Sequence, residues 1–172
     1  VSRGWLAWRN ELTNLGLLMA NLDQIDRRLL AELQEEGRVT NVELAQRVGL
    51  TAPPCLRRVR ALEDAGVIRG YHADLDGAKL GFAITVFAMV SLKSQAEEAL
   101  RQFEDHMRAL PEVRECHMLN GEIDFILKIV SRDLQSFQEF LTSKLTPAPN
   151  VGSVKTSLTI RTAKQLPGVP LD

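Results

Sequence analysis

Four arginines, Arg47, Arg57, Arg58 and Arg60, fall between Leu44 and Leu62, and no Asp or Glu interrupts them. A guanidinium is a planar fork of donors that matches phosphate oxygens or the O6/N7 edge of guanine, and it stays charged at any physiological pH. The 172-residue chain carries a formal charge of only −1, with a pI near 6.4, which excludes a broadly basic surface. Any nucleic-acid contact must therefore be local, carried by clustering rather than by net charge. The same run would also suit a solvated helix face, so the elements around it have to decide.

Those elements are two short helices around a tight turn. Thr40-x-x-Glu43 is a capping box, after which Val42, Leu44, Ala45 and Val48 recur near helical spacing and Gly49 is placed to end the helix. Thr51 is a candidate N-cap for the second helix, and Pro53 and Pro54 fall in its first turn, where missing N–H groups have no intrahelical partner to lose. Cys55 or Leu56, then Val59 and Leu62, repeat every three or four residues and face inward, leaving Arg57, Arg58 and Arg60 outside. Gly66 ends this helix. The layout is that of a helix-turn-helix DNA reader, with Arg57, Arg58 and Arg60 on the helix that enters the major groove and Arg47, Thr51 and Pro53 around the turn. Before it, Asp23 can cap a helix to about Glu36, with Ile25, Leu29, Leu30 and Leu33 inward and Gly37 as terminator, which completes a three-helix core.

Residues 1–20 place Trp5, Trp8, Leu12 and Leu15 on one helical stripe, but Arg3, Arg9 and Glu11 interrupt any export signal. This extension is either a helix that packs on a partner or the product of an upstream start, since Met19 suits the beginning of the organised part. No apolar run approaches the roughly 20 residues needed to span a bilayer. Cys55 and Cys116 lie far apart without metal-type spacing, which fits a reducing, cytoplasmic compartment. His72, His106 and His117 show neither triad nor metal spacing, and no catalytic cluster or cofactor motif is visible.

The segment Arg69 to Gly77 reads as an extended strand or wing leaving the first domain. Phe82 to Leu92 is apolar on both alternating faces, Ile84, Val86, Ala88 and Val90 on one, Phe87 and Met89 on the other. A helical pattern follows through Ala96, Leu100, Phe103 and Met107 to Pro111. Val113 to Leu119 and Ile123 to Val130 alternate as strands about Asn120-Gly121, a strong hairpin signal. Asp133 can cap a helix carrying Leu134, Phe137, Leu141 and Leu145, and Val154 to Ile160 supplies a last strand. The order β-α-β-β-α-β predicts a ferredoxin-like sheet. The fold class is thus α+β, with a winged helix-turn-helix domain over 21–70, a connection over 71–80, a ferredoxin-like domain over 81–162 and a tail over 163–172. Both helices of such a sheet cover one face, so the apolar residues of the other predict a homodimer, which also suits a two-fold DNA site.

The stretches LDQIDRRLLAELQEEGR, NVELAQRVGLT, CLRRVRALEDAGVIRGY, Leu80-Gly81 and NGEIDFILKI together resemble the Lrp/AsnC family of transcription regulators. The likeness runs from about Leu22 to Leu166. It implies a double-stranded DNA reader followed by a domain that pairs subunits and binds an amino-acid effector, in dimers that assemble into octamers. It also maps the family's G-x-x-D onto Gly121 and Asp124, placing the effector among Leu119, Asn120, Gly121, Ile123 and Asp124. Asp124 or nearby carbonyls would hold its ammonium and backbone N–H groups its carboxylate, with Leu119 and Ile123 offering apolar surface and another subunit completing the pocket. Asn-Gly also makes a turn without any ligand, and the neighbouring Asp can simply face solvent. The Ala52-Pro53-Pro54 opening departs from the family's Ser-rich one. Relatives of this architecture include sirohaem decarboxylases and stand-alone sensors, which remain the alternatives.

Overall fold

The computed structural model describes residues 22–171, so the expected stripe of Trp5, Trp8, Leu12 and Leu15 lies outside the described residues. The chain divides into two compact units, one ending at Ala73 and rejoined by the segment from Leu166, the other Asp74–Gln165.

In the first unit, α1 (Gln24–Glu35) starts at a capping box: the Asp23 carboxylate accepts the Asp26 N–H at 2.8 Å, and the Asp26 carboxylate accepts the Asp23 N–H at 3.3 Å. The α2 helix (Asn41–Val48) carries the expected box, with the Thr40 N–H donating to Glu43 at 3.1 Å and the Glu43 N–H to the Thr40 hydroxyl at 3.3 Å. Gly49, at φ 76°, closes it in the left-handed region that glycine enters without a Cβ penalty. The α3 helix (Ala52–Asp64) follows after a turn of three residues. Thr51 holds the extended N-cap backbone, but its side chain makes no capping bond. A capping oxygen bonds the N–H of the second or third helical residue, and here those are Pro53 and Pro54, which have none.

Leu29, Leu44, Ala45, Val48, Cys55 and Val59 form the core of this unit, with Ile25, Leu33, Val39, Leu50 and Ile68 packed around them. Cys55 is the inward residue of its pair, whereas Leu56 is 38% exposed. Val42 turns outward as well, 57% exposed. Residues 69–76 form no ladder, contrary to the expected wing strand. Among the described residues the segment has no partner strand, and Tyr71 folds back so that its hydroxyl donates to Glu63 at 2.9 Å. The C-terminal segment is also not the separate tail expected over 163–172. The Gln34 amide meets both polar groups of the Val169 backbone, Nε2 donating to the carbonyl and Oε1 accepting the N–H, each at 2.9 Å.

The second unit runs β1 (Ile84–Leu92), α4 (Glu97–Arg108), β2 (Val113–Met118), β3 (Phe125–Ser131), α5 (Leu134–Phe140) and β4 (Val151–Leu158). The strands form one antiparallel sheet in the order β2-β3-β1-β4, the ferredoxin-like arrangement. Register sets Val86 opposite Ile129, Ala88 opposite Leu127 and Val90 opposite Phe125, all at most 1% exposed. These pack with Leu100, Phe103 and Met107 of α4 and Phe137 and Phe140 of α5. Phe103 and Phe125 stack at 4.8 Å between ring centroids.

The opposite face, covered by neither helix of this unit, is less apolar than expected. Phe87 is 37% exposed, Met89, Ile126 and Val130 are half-buried, with Met89 opposite Ile126, and Lys128, opposite Phe87, pairs with Glu115 at 2.7 Å. The helix expected to run unbroken to Leu145 changes to a π turn at Leu141–Leu145, where the Thr146 N–H reaches the Leu141 carbonyl at 2.9 Å. The Thr142 hydroxyl bonds back to the Gln138 carbonyl at 2.9 Å and Ser143 to that of Glu139, drawing those carbonyls from the regular ladder. The last strand starts at Val151, earlier than expected, because Val151 already pairs with Leu92.

Candidate DNA-reading helix and effector loop

On α3 the inward positions Cys55, Val59 and Leu62 force Pro53, Arg57 and Arg60, spaced four and three residues apart, onto the opposite surface. All three are exposed, and neither arginine has an ion-pair partner among the described residues. Thr51 is exposed at the N-terminal end of the helix, where recognition helices meet base edges. A bond across the turn, from the Asn41 side-chain amide to the Ala52 carbonyl at 2.8 Å, fixes α3 against α2.

Arg58 and Arg47 differ from Arg57 and Arg60, because acidic side chains in or beside α1 engage both guanidinium groups. One nitrogen of Arg58 bridges Asp23 at 2.7 Å and Asp26 at 2.8 Å, and Asp26 is only 14% exposed. Arg47 binds Glu36 at 2.7 Å and Glu32 at 3.2 Å. The run is free of acids along the chain but not in space, because α1 lays its acidic side chains beside it. The hydrogen bonds Arg58 donates to Asp26 and then to Asp23 lift its pKa above its ordinary value, and those Arg47 donates to Glu36 and Glu32 do the same for Arg47. These two cations therefore hold α1 to α2 and α3. Spacing within α1 was the available signal, since Asp23, Asp26, Glu32 and Glu36 all lie in or beside one helix.

In the second unit the hairpin is not the expected two-residue turn. Leu119–Asp124 form a six-residue loop, and neither Asn120 nor Gly121 has the positive φ that a type I′ turn requires. Gly121 lies open, with nothing within 4 Å of where a Cβ would stand. Leu119 and Asn120 are exposed, and Ile123 and Asp124 half-buried. The loop is closed by the Leu119 N–H donating to the Asp124 carbonyl at 2.8 Å. The Asp124 carboxylate already carries one protein bond on each oxygen: it accepts the Leu92 N–H at 2.6 Å and the Gln95 side-chain amide at 2.8 Å. Leu92, Gln95 and, beyond them, Asn150 are the residues of this site that spacing alone did not reveal.

Beside the loop, a cleft of about 300 Å³ between α4 and β2 is lined by Met107, Cys116, Met118 and Phe125. Burial pushes the Cys116 thiol up to about 11, so it is held protonated rather than nucleophilic. Among the described residues no three His, Cys, Asp or Glu side chains group to hold a metal, and no helix is long and apolar enough to cross a membrane.

With this geometry in place, the chain matches two family profiles, a winged helix-turn-helix DNA-binding domain over residues 22–69 and an Lrp/AsnC ligand-binding domain over residues 85–169. It is 51% identical over 148 residues to a leucine-responsive regulatory protein of Rhizobium meliloti (strain 1021), covering 86% of this chain and 95% of that one. It is 40% identical to the Bkd operon transcriptional regulator of Pseudomonas aeruginosa, covering 89% of this chain and 100% of the relative. The crystal structure of the transcriptional regulator NMB0573 from Neisseria meningitidis in complex with L-Met aligns with a TM-score of 0.84 at 37% identity, over 88% of this chain and 98% of that one.

Proposed function

Because the chain belongs to the Lrp/AsnC family of transcription regulators, built from a DNA-binding helix-turn-helix and a ligand-binding domain, we propose that it reads a specific operator through α3 and adjusts that binding to an amino acid held at the loop 119–124. The observation that carries the DNA reading is the outward stripe Pro53, Arg57 and Arg60, whose guanidinium groups no carboxylate among the described residues pairs with. Thr51, at the helix start, belongs to the same contact surface. Arg47 and Arg58 act in it indirectly, by holding α1 against α2 and α3.

The effector reading rests on Leu119, Asn120, Gly121, Ile123 and Asp124, and the L-Met complex of the structural neighbour supports an amino acid as the ligand class. Gly121 leaves the main chain approachable, and Leu119 and Ile123 offer apolar surface. The sheet face bearing Phe87, Met89, Ile126 and Val130 pairs two subunits, and the dimers assemble further toward an octamer. A two-fold dimer sets two α3 helices about one turn of DNA apart. The protein acts in the cytoplasm without a cofactor and without catalysis, a reading supported by relatives that are named as regulators.

The test is to titrate labelled DNA from upstream of the gene itself with the full chain, with and without amino acids, and to footprint the bound sites. The expected result is a discrete protected site whose affinity or extent shifts with one or a few amino acids. Uniform weak binding to every sequence would overturn the reading.

A further inference from the structure

Asp124 ties three pieces of the second unit together. Its N–H donates to the Val90 carbonyl at 3.0 Å, its carbonyl accepts the Leu119 N–H, and its carboxylate grips the last residue of β1, Leu92, and Gln95 in the segment after it. The same segment is held from its other side by Asn150, at φ 66°. The Asn150 amide donates to the Ser94 carbonyl at 2.7 Å and accepts the Ser94 N–H at 2.9 Å, while its own carbonyl accepts the Lys93 N–H at 2.8 Å. The backbone from Leu92 to Ser94 is thus fixed by two loops.

Within this clamp the bonds to Asp124 are unequal. The Leu92 N–H is main chain at the end of a sheet strand and cannot leave without breaking the clamp. The Gln95 bond comes from the tip of an exposed, flexible side chain. A neutral N–H donor pointing at a carboxylate oxygen beside an open loop occupies the place that a ligand ammonium would take, and an ammonium bonds a carboxylate more strongly than an amide does.

We propose that Gln95 is a built-in competitor for the effector's ammonium: its amide caps Asp124 Oδ1 in the free protein and swings away when an amino acid binds, so that Gln95 sets the affinity of the site and its preference for ammonium-bearing ligands. This rests on the effector reading given above. Leu92 keeps the second oxygen throughout, so the carboxylate is oriented before the ligand arrives and only one solvent-exposed bond is exchanged.

The experiment is calorimetry on the full chain with L-methionine, then with the other common amino acids, and with the 2-oxo acid corresponding to any amino acid that binds. Gln95→Ala should tighten the amino acid about three- to tenfold, the ratio that one net hydrogen bond corresponds to, and leave the 2-oxo acid unchanged. Asp124→Asn, which keeps an acceptor for Leu92 but removes the charge, should weaken the amino acid by tenfold or more. Gln95 is exposed, and an unchanged thermal melt will verify that its variant is folded. Unaltered amino-acid affinity in Gln95→Ala overturns the proposal while leaving the effector reading in place. Equal gains for amino acid and 2-oxo acid overturn it too, showing that Gln95 only fills space. Absence of binding by every amino acid removes the effector reading and this proposal with it.

Discussion

Arg57→Ala and Arg58→Ala, made separately, should give two different defects although the residues are neighbours. Arg57 points away from the core and pairs with no carboxylate among the described residues, so its loss should leave the fold alone and remove one cation per subunit from the proposed DNA surface. Each neutralised phosphate contributes about 0.9 to the slope of log affinity against log salt, so a dimer should lose about 2 from that slope. A guanidinium that reads a guanine edge also carries about 1–3 kcal/mol of discrimination. Arg58 is 32% exposed and spans Asp23 and Asp26. Its removal leaves the largely buried Asp26 without a cation, at a cost of about 1 kcal/mol after discounting for the solvent that Arg58 still meets. That corresponds to a melting point lower by about 5 °C for a unit of this size. Fluorescence anisotropy of a labelled operator across about 50 to 200 mM salt, beside a circular-dichroism melt, separates the two outcomes. The reasoning is refuted if Arg58→Ala flattens the salt slope with its melt intact while Arg57→Ala leaves the slope alone.

Three further outcomes are expected. Thr40→Ala removes one half of the box that opens α2 and should destabilise the first unit by about 1 kcal/mol in urea unfolding. Phe87→Asp places a charge on the helix-free sheet face and should convert the oligomer to monomers in light scattering of the full chain; an unchanged mass would move the interface elsewhere. In the fold, the Asp26 N–H lowers the Asp23 pKa from its ordinary 3.8, and the Thr40 hydroxyl that of Glu43 from 4.5. Stability from such groups is present above the ordinary value and lost as pH falls through the lowered one. Melts of the first unit should therefore hold steady above about pH 5 and decline below about pH 4, and Glu43→Gln should reduce that decline.

The sequence showed most clearly those features that are local along the chain. The Thr40 box, the Gly49 terminator, the spacing of Val59 and Leu62 and the alternation of Val86, Ala88 and Val90 all appear where expected, because each follows from bonds or periodicity within a few residues. What it hid was set by contacts across the fold. Arg47 and Arg58 looked available until α1 brought acids to them from 11 to 35 positions away. Asn120-Gly121 looked like a tight turn, but the loop runs from Leu119 to Asp124, whose carboxylate is tied to Leu92 32 positions away. The silent cap at Thr51 is a different kind of miss, since the two prolines that disarm it stand in plain view.

The two cores differ in size, and this bears on how the molecule opens. Among the described residues, seven apolar side chains are buried in the first unit, Leu62 included, against fourteen in the second. Small domains bury a lower fraction of their surface and are correspondingly marginal, so α1 to α3 should come apart well before the sheet does. Amide hydrogen exchange should then show two tiers, with Leu44 and Val59 exchanging through a local opening and Leu127 and Ile129 only through the global one. A single melting temperature would average two transitions that are not one cooperative event. Operator DNA binds only the folded reader, so it would raise the lower tier toward the upper by mass action and draw the two transitions together.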